Sequence, residues 1–176
     1  MPKTTRLTTR RAWALENARR QTLTLATDVA NEQRCRQSSP GEHHPAWVLG
    51  HLLLGDVYLL HLLEGGTLAE DFPALLERYG TGATPTADAA RYHDQDASID
   101  RLVETGARRA GIVRVLSAAD LACPTQDPFL ARSQPTIGHH LQVLLFHEGY
   151  HAGQLSAWGH RLGLPAARWV VAPPNS

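Results

Sequence analysis

Apolar residues recur along this chain at steps of three and four, the period of an amphipathic helix. No segment shows the strict alternation of a half-buried strand. The pattern predicts a first helix from about Thr8 to Cys35, with Ala14, Ala18, Thr22, Leu25 and Val29 on one stripe. Pro40, Gly41 and Pro45 then break it. Pro45 fits the first turn of a second helix, where its missing N–H costs little, and that helix is predicted to reach about Glu64. Trp47, His51, Leu54, Tyr58 and Leu62 share one of its faces. Further leucines make it apolar over much of its surface, which suits a central, buried helix.

Gly65 and Gly66 close that helix, and a long connection follows that holds at most one short helical piece, FPALLERYG. A third helix is predicted from just after Thr86, with Asp88 in its first turn, to about Ala118. Tyr92, Ile99, Leu102, Ala110, Val113 and Leu116 form its core side, while Gly106 and Gly111 weaken it. Residues 119–135 carry Cys123-Pro124, Asp127-Pro128 and Pro135 and read as an irregular connector. The last helix is predicted from about Thr136 to Leu162, with Gly163 and Pro165 as its stop. The expected fold is all-α: one domain over residues 1–176, a four-helix bundle with a long connection between helices two and three. That connection either crosses the bundle or covers the mouth of a site.

Composition narrows the partners. Lys plus Arg and Asp plus Glu number 17 each, so no bulk charge calls for a nucleic acid. Arg6, Arg10, Arg11, Arg19 and Arg20 gather near the N-terminus, but their spacing suits the solvated side of a helix. No apolar run approaches the roughly 20 residues that cross a bilayer, and MPKTTRLTTRR lacks the apolar segment of a secretory signal, so a cytoplasmic protein is expected. Cys35 and Cys123 are too few for a disulfide framework and read as idle thiols.

The chemistry concentrates in the final helix. His147 and His151 in HEGYH stand four apart on its apolar face, a spacing that suits joint coordination of one divalent metal. His51 occupies the middle of the core stripe of the second helix. Three imidazoles converging from two helices supply three ligands and leave a position open. Neutral imidazole suits Zn, Ni, Fe or Mn. Glu148 completes the HExxH pattern of zinc proteases, but the sheet expected beside such a motif is missing. Glu148 is therefore left as a base, an acceptor behind the metal, or a surface acid. Tyr58 and Tyr92 lie on inward stripes and offer phenolic hydroxyls, and Gln154, three residues beyond His151, is close enough to support a ligand from behind or to bond the backbone. Trp47 and Trp158 read as core or pocket wall. His140 falls about 10 Å along the axis from His147, too far for the same ion.

The segments HPAWVLGHLLLGD (His44 to Asp56) and HEGYHAGQLSAWGHRLGLP (His147 to Pro165) resemble the DinB-like family, also grouped with YfiT-like metal-dependent enzymes. The resemblance covers most of the chain and implies that His51, His147 and His151 are the metal-binding histidines. A further histidine common in the family is replaced here by Val143. The resemblance also implies a metal-bearing bundle, often a homodimer, and a small-molecule substrate. Relatives include transferases and isomerases that use low-molecular-weight thiols.

The first expectation is therefore a divalent-metal enzyme, with Zn or Ni ahead of Fe or Mn, that transfers a low-molecular-weight thiol to an electrophilic small molecule. Glu148, Tyr58 or Tyr92 would guide the proton. The alternatives are a hydrolase using metal-bound water with Glu148 as base, and a noncatalytic metal- or ligand-binding stress protein.

Overall fold

The computed structural model describes residues 3–164 apart from Gly66 and Ala69, with side chains from Leu7 onward. Among these residues the chain is all helical. Its elements are α1 (Lys3–Thr27), α2 (Pro45–Glu64), α3 (Phe72–Tyr79), a 3-10 turn at Ala89–Arg91, α4 (Gln95–Val115), α5 (Ala118–Ala122), α6 (Pro128–Ala131) and α7 (Ile137–Arg161). The described residues contain one isolated β-bridge, between Pro124 and Thr136.

The helices begin and end where local chemistry dictates. His44 caps α2 by accepting the Trp47 N–H, with Pro45 in the first turn, and Gly65 ends it at φ 75°. Thr136 caps α7 through the His139 N–H, and Gly163 at φ 71° follows its last turn. Both spans agree with the sequence pattern. Gly66, Pro165 and the Arg6 side chain lie outside the described residues.

Two predicted spans are corrected. α1 stops at Thr27 rather than Cys35, and the segment up to Cys35 folds into successive turns. The hydroxyls of Thr24 and Thr27 bond back to the Arg20 and Leu23 carbonyls, and the buried Gln95 amide donates to the Ala26 and Val29 carbonyls. A side chain from another helix thus takes over the end of α1. α4 starts at Gln95, not after Thr86, because Asp94 accepts the Asp96 and Ala97 N–H groups. Asp88 instead caps the 3-10 turn. The stretch 119–135 is also not wholly irregular, since it holds most of α5 and all of α6.

α2 corrects a further expectation, being long and apolar enough to cross a bilayer by composition. Most of it is buried against the other helices, however, as befits a core helix. It packs on α3, α4 and α7, while α1 packs on α4 and α7.

Two apolar clusters fill the interior. One gathers Trp47, Leu52, Leu53, Leu75, Tyr79, Leu102 and Leu155; the other gathers Leu15, Leu59, Val113, Ile137, Leu141 and Leu144. α2 and α4 meet the first cluster before the second, and α1 and α7 meet them in the reverse order. α2 and α4 therefore run the same way. The chain between them must return along the 20-residue length of α2, about 30 Å, which settles that the long connection crosses the molecule.

Between the clusters lies a layer of charge, with one ionised group from each long helix. Arg19 (α1) holds Glu148 (α7) through two bonds of 2.7 and 2.8 Å and Asp56 (α2) at 2.7 Å. Arg109 (α4) reaches Asp56 at 2.5 Å, and Thr105 donates to the same carboxylate. All four charged side chains are almost wholly buried. Burial opposes the charged form of Asp56, but Arg19 and Arg109 outweigh it and hold its pKa below the usual range. Arg19 is the residue that the basic N-terminal run most misleads about. It is 4% exposed and packs beside Gly106 of α4.

Removing one member leaves a buried charge without its partner. Arg19→Met is expected to cost about 3–5 kcal/mol of stability, read from urea unfolding with retained helicity as the control. A change below about 1 kcal/mol would show that the layer is not a structural constraint.

Candidate metal centre

His51 on α2 and His147 and His151 on α7 meet where these two helices face each other. Their ligating nitrogens all lie within 4.8 Å of one another. His147 Nε2 stands 2.9 Å from His51 Nε2 and 3.0 Å from His151 Nε2. Two of the Nδ1 atoms have partners of their own. His51 Nδ1 lies 2.6 Å from the Tyr79 carbonyl and His151 Nδ1 2.8 Å from Gln154 Oε1. Both partners are acceptors, so both Nδ1 atoms carry the proton and both Nε2 atoms present lone pairs. His147 can donate one proton to only one of its two neighbours. With His147 as the Nδ1–H tautomer, all three Nε2 lone pairs converge, an arrangement that a cation would satisfy. The donor set fits a divalent metal, with His51, His147 and His151 as the residues that would hold it.

Sequence-distant features set this geometry. Tyr79 ends α3 and packs its ring onto Gly50 of α2, where a Cβ would stand 2.1 Å from Tyr79 Cε1. That close approach brings the Tyr79 carbonyl to His51. Trp47 stacks on the His51 ring at 4.7 Å, and His43 stacks on the same indole at 4.3 Å. Tyr150 sets its ring edge-on to His151 at 5.2 Å. Burial, then the neighbouring imidazoles, lowers the pKa of His147 to about 4 and of His151 to about 3, and burial lowers that of His51 as well. The three rings are neutral near pH 7 and ready to coordinate.

The other sequence candidates sit elsewhere. Glu148 is 1% exposed and both its oxygens are bound by Arg19, so it belongs to the charge layer. Tyr58 donates to Asp127, the cap of α6, and its pKa is pushed up to about 12 by burial and that carboxylate. It lies two turns, about 10 Å, along α2 from His51. The Tyr92 hydroxyl pairs with the backbone of Thr86 and its ring packs on His44 and Tyr79. None of these three hydroxyl or carboxylate groups shares a hydrogen bond with the triad. Gln154 does hold the His151 ring, while Trp158 bonds the Arg36 carbonyl from the core. His140 is paired with Gln134, away from the metal position. Val143, where the resemblance places a histidine, is exposed. His43 and the Tyr79 carbonyl had no spacing signal, since each reaches the site from a loop or another helix.

Loss of a ring-holding partner should weaken the site without removing a ligand. Gln154→Leu, and Gly50→Ala through displacement of Tyr79, are each expected to lower metal affinity about 10–100-fold in a chelator competition titration. Unchanged affinity in both would mean that these partners do not orient the rings. A second outcome concerns pH. Imidazoles with a folded pKa below the unfolded value of about 6.5 take up protons first in the unfolded chain, so stability falls as pH drops. The chelated protein should lose urea resistance between about pH 7 and about pH 5. The double variant His147→Asn, His151→Asn should show a shallower loss; equal slopes would contradict the assignment.

No curated protein matches this chain. The DinB superfamily does, over residues 14–155, a stretch that begins within α1, ends near the close of α7 and contains all three converging imidazoles. A match over most of the chain, carrying both helices of the histidine cluster, makes this protein a member of the DinB superfamily.

Proposed function

We propose that this protein is a divalent-metal enzyme that transfers a low-molecular-weight thiol to an electrophilic small molecule, and that its four long helices form a four-helix bundle around the centre. The observation that carries the reading is the meeting of three neutral imidazoles, two of them oriented by fixed acceptors, while the neighbouring Glu148 carboxylate is bound on both oxygens by Arg19. Hydrolysis asks for a base to activate water, and the HExxH carboxylate is held by Arg19 instead. An external thiol is far more acidic than water and needs less help from a base to become a nucleophile. Cys35 is buried in the core and Cys123 follows α5, so the sulfur comes from a cosubstrate rather than the chain.

The ion, when bound, supplies Lewis acidity that favours the thiolate form of a sulfur ligand. The chain's own part is to present three neutral donors, which leave the charge of an ion uncompensated and so favour an anionic ligand. Trp47 covers one face of His51 and keeps water from that side. In the reaction a sulfur–carbon bond forms as the bond from carbon to its leaving group breaks, and the thiol proton passes to solvent. An all-imidazole set fits zinc or nickel first, with iron or manganese next.

The test is elemental analysis of untagged protein, followed by turnover of a chloronitrobenzene with and without a small thiol. About one metal per chain is expected, with turnover that needs both thiol and metal and is lost in His51→Ala. Product formed without thiol would replace this reading by hydrolysis, and absence of metal binding by the folded protein would remove it.

A further inference from the structure

The central helix α2 carries an open strip that starts at the metal centre. From Pro45 to Asp56 every residue is buried except His51 and Gly55, and the opening continues through Tyr58 to Leu62. These four residues follow one another at steps of four, three and four, so they form one line along the helix. Gly55 is the floor of the strip. Nothing lies within 4 Å of where a Cβ would stand there, so the way from His51 to Tyr58 stays open. Phe72 of α3 stacks on Tyr58 with ring centroids 5.8 Å apart and walls the far end.

The two ends of the strip make opposite demands. At one end the three imidazole nitrogens converge on the position of a cation. At the other, the Tyr58 hydroxyl donates to the carboxylate of Asp127. That bond and the N–H groups of Leu130 and Phe129 keep Asp127 ionised, below the usual carboxylate range. Asp127 is half-buried and makes no ion pair among the described residues. Its field also acts on His140 of α7. α2 and α7 meet the two apolar clusters in opposite order, so seven residues on from His51 and seven back from His147 reach one level. There His140, 5% exposed, gives its Nδ1 proton to Gln134, and its Nε2 has no hydrogen-bond partner among the described residues. The far end thus offers acceptors and negative charge, and no cation answers them.

We propose that this strip is the binding groove of an amino-thiol, with the sulfur at the histidine cluster, the body over Gly55, and an ammonium about 10 Å from the sulfur bound by Asp127. The inference rests on the thiol reading above and names the class of thiol. Charge complementarity selects it. A cation held by three neutral imidazoles favours an anionic sulfur, whereas a half-buried carboxylate with no cation of its own favours an ammonium. The distance between the two ends sets the length of the ligand. A neutral tail gains less at Asp127, and a thiol too short to reach it is held by its sulfur alone.

The experiment titrates thiols into the cobalt(II)-loaded full chain and reads the sulfur-to-cobalt charge-transfer band, not turnover. Aminooctanethiol is expected to bind about tenfold more tightly than hydroxyoctanethiol, which matches its length without the charge. Asp127→Asn should remove that preference, and because asparagine caps a helix as well as aspartate does, α6 is kept. Gly55→Leu should weaken both long thiols about tenfold while aminoethanethiol, too short to pass Gly55, binds as before and the cobalt content stays the same. Leucine inside a helix is more favourable than glycine, so this variant folds. An ammonium preference that is missing in wild type, or that survives in Asp127→Asn, would overturn the proposal. So would long thiols that bind Gly55→Leu as tightly as wild type. With the band present for aminoethanethiol, each of these results removes the groove and leaves the thiol reading standing. Absence of the band with every thiol would remove the thiol reading, and the groove with it.

Discussion

The buried pairing of Arg19 and Arg109 with Asp56 and Glu148 joins all four long helices, one charge from each. An apolar core of leucines tolerates sliding by a turn, because one leucine replaces another at small cost. A buried guanidinium does not tolerate it, since slipping one helix would strand a charge in the interior. The layer fixes the axial register of α1, α2, α4 and α7 at one level, and the two apolar clusters fill the space on either side.

The metal centre inherits that register. Glu148 is the residue next to His147, and Asp56 lies little more than a turn beyond His51. Holding the two carboxylates to shared arginines therefore holds α2 and α7 at the height where the three Nε2 atoms meet. The HExxH pattern is used here in two directions. Its histidines turn toward α2, and its glutamate, about 100° around the helix, turns into the charge layer. A motif associated with water activation has become a structural ion pair beside a ligand pair.

Much of this was legible in the chain itself. The three-and-four periodicity of α2 and α7, Pro45, Gly65 and Gly163 set both helices within a residue or so of where they stand. His51, His147 and His151 followed from helical spacing, because a four-residue step places two rings on one face whatever surrounds them. The all-helical class followed from the lack of alternation anywhere.

What only the tertiary structure decided were properties that depend on groups far apart in sequence. α1 ends at Thr27 because Gln95 from α4 takes the last carbonyls, and no local signal encodes that partner. Arg19 reads as one of a solvated basic run until Asp56 and Glu148 close on it from two other helices. Tyr58 and Tyr92 sit on plausible inward stripes, yet Asp127 and Thr86, each brought by a loop, occupy their hydroxyls. The sequence by itself determined which faces are apolar and which rings share a face, since those are matters of periodicity. Which charge neutralises which, and which hydroxyl is left free, was decided by packing, because pairing energy depends on the burial and distance that only the folded chain supplies.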